Sequence, residues 1–337
     1  MRSKTCTLHA ISLCLFPLLT AGCLSDNLLS DHPGTSNKPM EIRMKSSIAG
    51  AMSDTRGGGM INAKTAFSVE FARVDEGASS YPNVYLTPAI PGGVSTTNVL
   101  TFTPPAYYQA DKAKKTKLIG WYPTGATYAS SAESSTVSFS ALDGETDIMV
   151  TALKEGSQNN QFSGITFTHL LTQISVKVYA TSDATKTLWG GVKSITIADK
   201  KQTCTLTLPA TSADVDATAT ATFDGTDDLP LVKKDSSGNT DITYSGDVLS
   251  LGVKDGSTTN AVLAGYAMFA PVANGSSITL TVETEKGVAE ATATREDGFV
   301  AGQSYIITLK FDASGIAPAE TVITNWKTPI EVPEITV

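Results

Sequence analysis

Apolar and polar residues alternate along much of this chain. In residues 174–180 ("ISVKVYA") Ile174, Val176 and Val178 alternate with Ser175, Lys177 and Tyr179. The same period of two recurs at Ile278, Leu280 and Val282, and at Tyr305, Ile307, Leu309 and Phe311. Shorter cases are Phe67/Val69/Phe71, Val137/Phe139 and Ile195/Ile197. Such a period places one apolar face on each strand, and the separating Gly, Asn, Asp and Pro clusters supply turns. Residues 281–293 predict a hairpin turning at Lys286-Gly287. No stretch carries the 3.6-residue period of a long amphipathic helix, and no fixed repeat is present. The expected class is all-β, built as β-sandwiches.

The alternation lapses at residues 180–187 ("ATSDATKT"), which predicts a boundary between two domains, 39–182 and 183–337. Thr/Ser/Asp/Gly tracts at 210–228 and 234–260 read as surface loops of the second domain. The start of the chain sets the compartment. Arg2 and Lys4 precede an apolar run at 10–19 that is too short to span a bilayer, and Ala21-Gly22 lead into Cys23. Residues 1–22 read as a lipoprotein signal peptide, Cys23 as the acylated residue, and 23–38 as a tether. Two or three acyl chains, at about 0.8 kcal/mol per buried methylene, give stable anchoring to a membrane. Cys6 and Cys14 leave with the signal, so Cys204 stands alone in the body and no internal disulfide is available. In "TCTLTLP" it alternates with Leu206 and Leu208 as a buried strand residue would.

A net charge of −8 without a Lys/Arg-rich run argues against a nucleic-acid partner. Catalytic chemistry is thin. The chain lacks G-x-S-x-G, H-E-x-x-H, C-x-x-C and phosphate-loop patterns. His169, flanked by Phe167, Leu170 and Leu171, reads as a packed histidine rather than a triad member. Asp224, Asp227, Asp228, Asp235 and Asp241 lack the spacing of a calcium loop. The expectation is no enzyme, no cofactor and no metal. Tyr107, Tyr108, Trp121 and Tyr122 offer either a sugar-stacking platform or core packing.

Arg56 precedes Gly57-Gly58-Gly59, which is either a plain loop or a stretch that an Arg-specific protease reaches. Upstream, Met40, Ile42 and Met44 alternate with Glu41, Arg43 and Lys45 as an amphipathic strand.

Four segments in order, "LIGWYP" (118–123), "DIMVTA" (147–152), "ITFTHLLTQISVKV" (165–178) and the closing residues 301–326, resemble the fimbrillin family. These are the lipoprotein-derived, type V pilins of anaerobic Gram-negative bacteria. The resemblance implies two tandem transthyretin-like Greek-key β-sandwiches and a structural subunit of a surface fimbria, with a role in adhesion. It implies cleavage between Arg56 and Gly57, with Arg43 as the second choice, releasing residues 39–56 as a removable first strand that carries Met40, Ile42 and Met44. It also implies that a C-terminal donor segment, 320–337, fills the vacated groove of a neighbour. Its apolar positions are Val322, Trp326, Ile330, Val332, Ile335 and Val337, while Pro329 and Pro333 bar it from being an ordinary central strand. The implied partners are other pilin subunits, an Arg-specific protease, the outer membrane through the lipid, and a host or bacterial surface ligand. The alternative is a tip adhesin or a glycan-binding β-sandwich lipoprotein.

Overall fold

The computed structural model describes residues 39–48, 68–88, 99–233, 244–245, 247–255 and 258–325. From Pro39 onward the chain forms one compact unit made almost wholly of strands. Alternation becomes half-burial as expected. In Ser277–Thr284 the side chains of Ile278, Leu280 and Val282 are buried while Ser277 and Glu283 are exposed. The hairpin to Val288–Thr294 closes through the Thr284 amide, which donates to the Gly287 carbonyl over 2.8 Å.

One sandwich has two six-stranded sheets. Thr172–Ala180 lies between Gln303–Phe311, with which it pairs in parallel, and the antiparallel Val262–Phe269. Ile316–Asn325 then extends the sheet beyond Gln303–Phe311. The facing sheet centres on Val192–Lys200 and Ser277–Thr284. Between them sits a core that includes Ile174, Val176, Val178, Ile195, Ile197, Leu280, Ile307 and Phe311.

The other sandwich is built on an eight-stranded sheet. Asn83–Leu86, Glu70–Asp75, Thr116–Tyr122, Met149–Thr151, Ile165–His169, Met44–Ile48 and Val99–Leu100 lie side by side in that order, with Lys154–Gly156 beside Thr116–Tyr122. The Thr103 amide donates to the Leu86 carbonyl over 2.8 Å, so the sheet's two edges are tied together. Successive residues of a strand face opposite ways. Phe71 therefore enters a core enclosed by this sheet, whereas Ala72 and Val74 enter a second core outside it. That second core is covered by the sheet of Thr127–Ser130, Ser135–Phe139, Thr203–Thr207 and Thr220–Asp224.

The sandwiches do not separate at a single point in the chain. Thr203–Thr207 pairs with Ser135–Phe139, Cys204 opposite Phe139 and Leu206 opposite Val137. Val262–Phe269 serves both cores, since Tyr266 and Met268 pack into one and Ala267 and Phe269 into the other. At 183–189, inside the stretch read as a break, stands a short helix, Asp183–Trp189. Ser182 caps it by accepting from the Thr185 amide, and Gly190, at φ +68°, ends it.

Candidate assembly site

Residues 40–48 run as an extended segment with one buried face. Ile42 is 0% exposed, Met44 3% and Ile48 8%, all in the core enclosed by the eight-stranded sheet. Ser46, on the same parity, is half-buried, and Met40 at the outer end is 37% exposed. Arg43 and Lys45 face solvent, and the Arg43 guanidinium pairs with Glu41 (Nη2–Oε2 2.6 Å). The polar/apolar alternation is thus an inside/outside alternation.

The backbone of this segment is held on both sides. Ser46, Ser47 and Ile48 stand in parallel register with Ile165, Thr166 and Phe167. Met44 and Lys45 stand antiparallel to Leu100 and Val99. The Ile42 amide donates to the Ala106 carbonyl (2.8 Å), and the Tyr108 amide to the Met40 carbonyl (2.9 Å). Beneath lie Val69, Phe71, Leu100, Phe102, Met149, Ile165 and Phe167. The Phe71 ring meets Phe102 and Phe167 edge-on at centroid distances of 5.5 and 6.1 Å. Withdrawing three buried side chains of this size re-exposes apolar surface worth roughly 5–9 kcal/mol, at about 1.5–3 kcal/mol per side chain. It also strips hydrogen bonds from strands on both sides.

The first segment is therefore a slat in a closed wall. Of the residues singled out in the sequence, Ile42 and Met44 line its inner face, and Arg43 lies on its outer face. Ile48 and the half-buried Ser46 extend the same parity toward 165–167, a continuation that the two-residue period already carried. Val322 lies in Ile316–Asn325, opposite Ile306. Cys23, Arg56, Gly57, Trp326, Ile330, Val332, Ile335 and Val337 lie outside the described residues.

The aromatic residues do not assemble a platform. Trp121 is 0% exposed; its indole N–H donates to Glu70 (2.9 Å) and its ring stacks on Tyr128 at 5.9 Å. Tyr108 is buried against Phe162, and its hydroxyl accepts from the Phe162 amide. Only Tyr107 of the four is exposed, while Tyr122 is half-buried. Burial raises the Tyr122 hydroxyl above its usual pKa, and the Asp147 and Asp143 carboxylates add to the effect. His169 is buried on Asp147 and Cys204 is a buried free thiol. Among the described residues, no three His, Cys, Asp or Glu side chains gather to hold a metal ion.

A family profile described as fimbrillin-like matches residues 55–326. The chain belongs to the fimbrillin-like family. Among solved structures, this fimbrillin-like chain is similar to a candidate cell adhesion protein of Bacteroides uniformis ATCC 8492. The two share 15% identity over 87% of this chain and 100% of that one, with a TM-score of 0.54. It is also similar to a fimbrial protein of Bacteroides vulgatus ATCC 8482, at 14% identity over 85% of this chain and 99% of that one, with a TM-score of 0.45. No curated protein matches the sequence. At such identities the first likeness speaks for the shared fold, and family membership rests on the profile.

Proposed function

We propose that this chain is a fimbrial subunit, exported as an outer-membrane lipoprotein on Cys23, matured by an Arg-specific protease between Arg56 and Gly57, and joined to neighbouring subunits by strand donation. The observation that carries the reading is the first segment itself. It fills a groove with Ile42, Met44 and Ile48 and pairs with strands on both sides, yet it stands at the start of the described chain. A cut after Arg56 would sever this segment from the domain it completes. A cut after Arg43 would leave Met44 and Ile48 behind, so Arg56 is the better site. The vacated wall then has apolar side chains and unpaired backbone groups that a second subunit's strand satisfies. Head-to-tail repetition of one such contact gives an open filament. A role in adhesion follows from a surface filament and needs no catalytic group.

The test is limited digestion of the unlipidated precursor, residues 24–337, with an Arg-specific protease. Mass spectrometry locates the cut, and denaturant-resistant ladders report assembly. The expected result is cleavage after Arg56 and a ladder that vanishes when residues 326–337 are deleted, a cut that leaves Ile316–Asn325 in its own sheet. A clean cut that leaves a monomer would overturn strand donation.

A further inference from the structure

The strand Val288–Thr294 ends its sheet. It pairs with Ser277–Thr284 on one side, and among the described residues no strand stands on the other. The hairpin fixes which residues face the open side. The Thr284 amide donates to the Gly287 carbonyl, so that pair is a hydrogen-bonded one, and such pairs alternate along an antiparallel ladder. Ala289, Ala291 and Ala293 therefore turn their N–H and C=O groups toward Ser277–Thr284. Val288, Glu290, Thr292 and Thr294 turn theirs outward, donors and acceptors in one row.

The side chains make this edge unusually open. Ala291 and Ala293 are buried in the core at 3% and 1% exposure, while Val288 keeps 65%. Sheet edges are ordinarily blunted by proline, lysine or a bulge. The edge of the facing sheet, Ile316–Asn325, has Pro318 and a register shift beside it. Val288–Thr294 has neither and carries no Lys or Arg; its one charge is Glu290.

Laid antiparallel against a second copy of itself, the strand can pair about a two-fold axis at Glu290, Ala291 or Thr292. At Glu290 the two carboxylates stand directly opposite, a repulsive pairing. At Thr292 only residues 290–294 overlap. At Ala291 all of 288–294 pair: Val288 with Thr294, Ala289 with Ala293, Glu290 with Thr292, and Ala291 with its own copy. Each outward N–H then meets an outward C=O. Continuing the count brings the exposed Lys286 toward the exposed Glu296 of the other copy, one cation and one anion at each end.

We propose that Val288–Thr294 is a lateral contact, at which two copies of this chain join edge to edge about a two-fold axis through Ala291. The interface is isologous, so it closes as a pair and does not itself propagate. In a filament it is a cross-tie: each subunit offers one edge to a subunit of the neighbouring filament. The contact is strand addition at a sheet edge, with backbone bonds supplying the attraction and the Glu290 position setting the register. It lies in the sandwich remote in sequence from the first segment and needs no processing.

The unprocessed, unlipidated chain, residues 24–337, tests the contact apart from strand donation, because its first segment is still in place. Glu290→Cys and Thr292→Cys are made as separate chains in a Cys204→Ala background, then mixed and oxidised. Directly opposed positions on neighbouring strands lie within disulfide reach, and diagonal ones do not. The expected result is a disulfide dimer from the mixture and its loss in either chain alone. Thr292→Pro removes only an outward N–H, so it is expected to keep the wild-type unfolding midpoint and to lose the dimer seen by sedimentation. A Thr292→Cys chain that cross-links with itself would overturn the register. A dimer that survives Thr292→Pro, or a wild-type chain that stays monomeric up to its solubility limit with no cross-link in the mixture, would overturn the contact. Neither result bears on strand donation, which the ladder formed after processing reads separately.

Discussion

Nδ1 of His169 lies 2.6 Å from Oδ2 of Asp147, and both side chains are shut away from solvent. His169 ends the strand that pairs with the first segment, and Asp147 precedes the strand on its other side. Each partner satisfies a polar atom that the other would otherwise leave buried and unmatched. Asp147→Ala or His169→Leu is expected to lower stability by about 1–3 kcal/mol. The double variant is expected to lose less than the two singles together. Urea midpoints of all four chains give the coupling; strict additivity would remove the pair from any structural role.

Ile42→Ala removes a fully buried side chain from the enclosed core. The expected loss is about 2–5 kcal/mol in the unprocessed chain. Once residues through Arg56 are gone the same substitution is absent from the protein, so processed wild type and processed variant are expected to unfold at the same denaturant concentration. Equal stability before processing would mean that the first segment does not hold its place.

A Cβ on Gly120 would fall 2.5 Å from the Phe71 ring. Phe71 is 0% exposed and braced by Phe102 and Phe167, so it has little room to yield. Gly120→Ala is expected to cost about 1–3 kcal/mol through overpacking. Adding Phe71→Leu, which shortens the offending group, is expected to return part of that loss. Thermal unfolding of the single and double variants decides it.

Alkaline pH acts on the core between the sheets. Burial pushes the Cys204 thiol from 9.0 up to about 12, and the Tyr81 hydroxyl, buried and near Tyr128, from 10.0 up to about 12. The unfolded chain releases these protons first, so their contribution is whole below pH 9 and shrinks as the pH rises toward about 12. The slope is at most about 1.4 kcal/mol per pH unit for each group. Lys200 works the other way, since burial lowers its pKa and its penalty is relieved at high pH. Denaturant midpoints measured from about pH 8.5 to about 11.5 should fall for wild type and fall less steeply for Cys204→Val. Parallel slopes would place the thiol in contact with water.

Much of this fold is legible because half-buried strands record their faces residue by residue, as 277–284 and 40–44 do. The signal fails where that asymmetry disappears. Val262–Phe269 is apolar almost throughout because its two faces meet different cores, so it shows no alternation. Asp183–Trp189 is too short for a helical period to emerge, although Ser182 and Gly190 mark its ends. Trp121, Tyr108 and Tyr122 illustrate a different limit. Composition names aromatic residues, but only the pairing of Glu70 with Trp121 shows that the indole is turned inward. The partners of the first segment are equally non-local: nothing near residue 48 in the sequence announces Ile165 or Phe167.

The double-faced strand Val262–Phe269 also bears on mechanics. A filament under flow is loaded along its length, and a subunit made of two bodies on a linker would yield at the linker. Here a strand that packs into both cores is laced to Thr172–Ala180 by seven antiparallel pairs, with a register shift between Val176 and Lys177. Loaded along the strands, such a junction is expected to resist as many hydrogen bonds sheared at once, not as a hinge that opens one bond at a time.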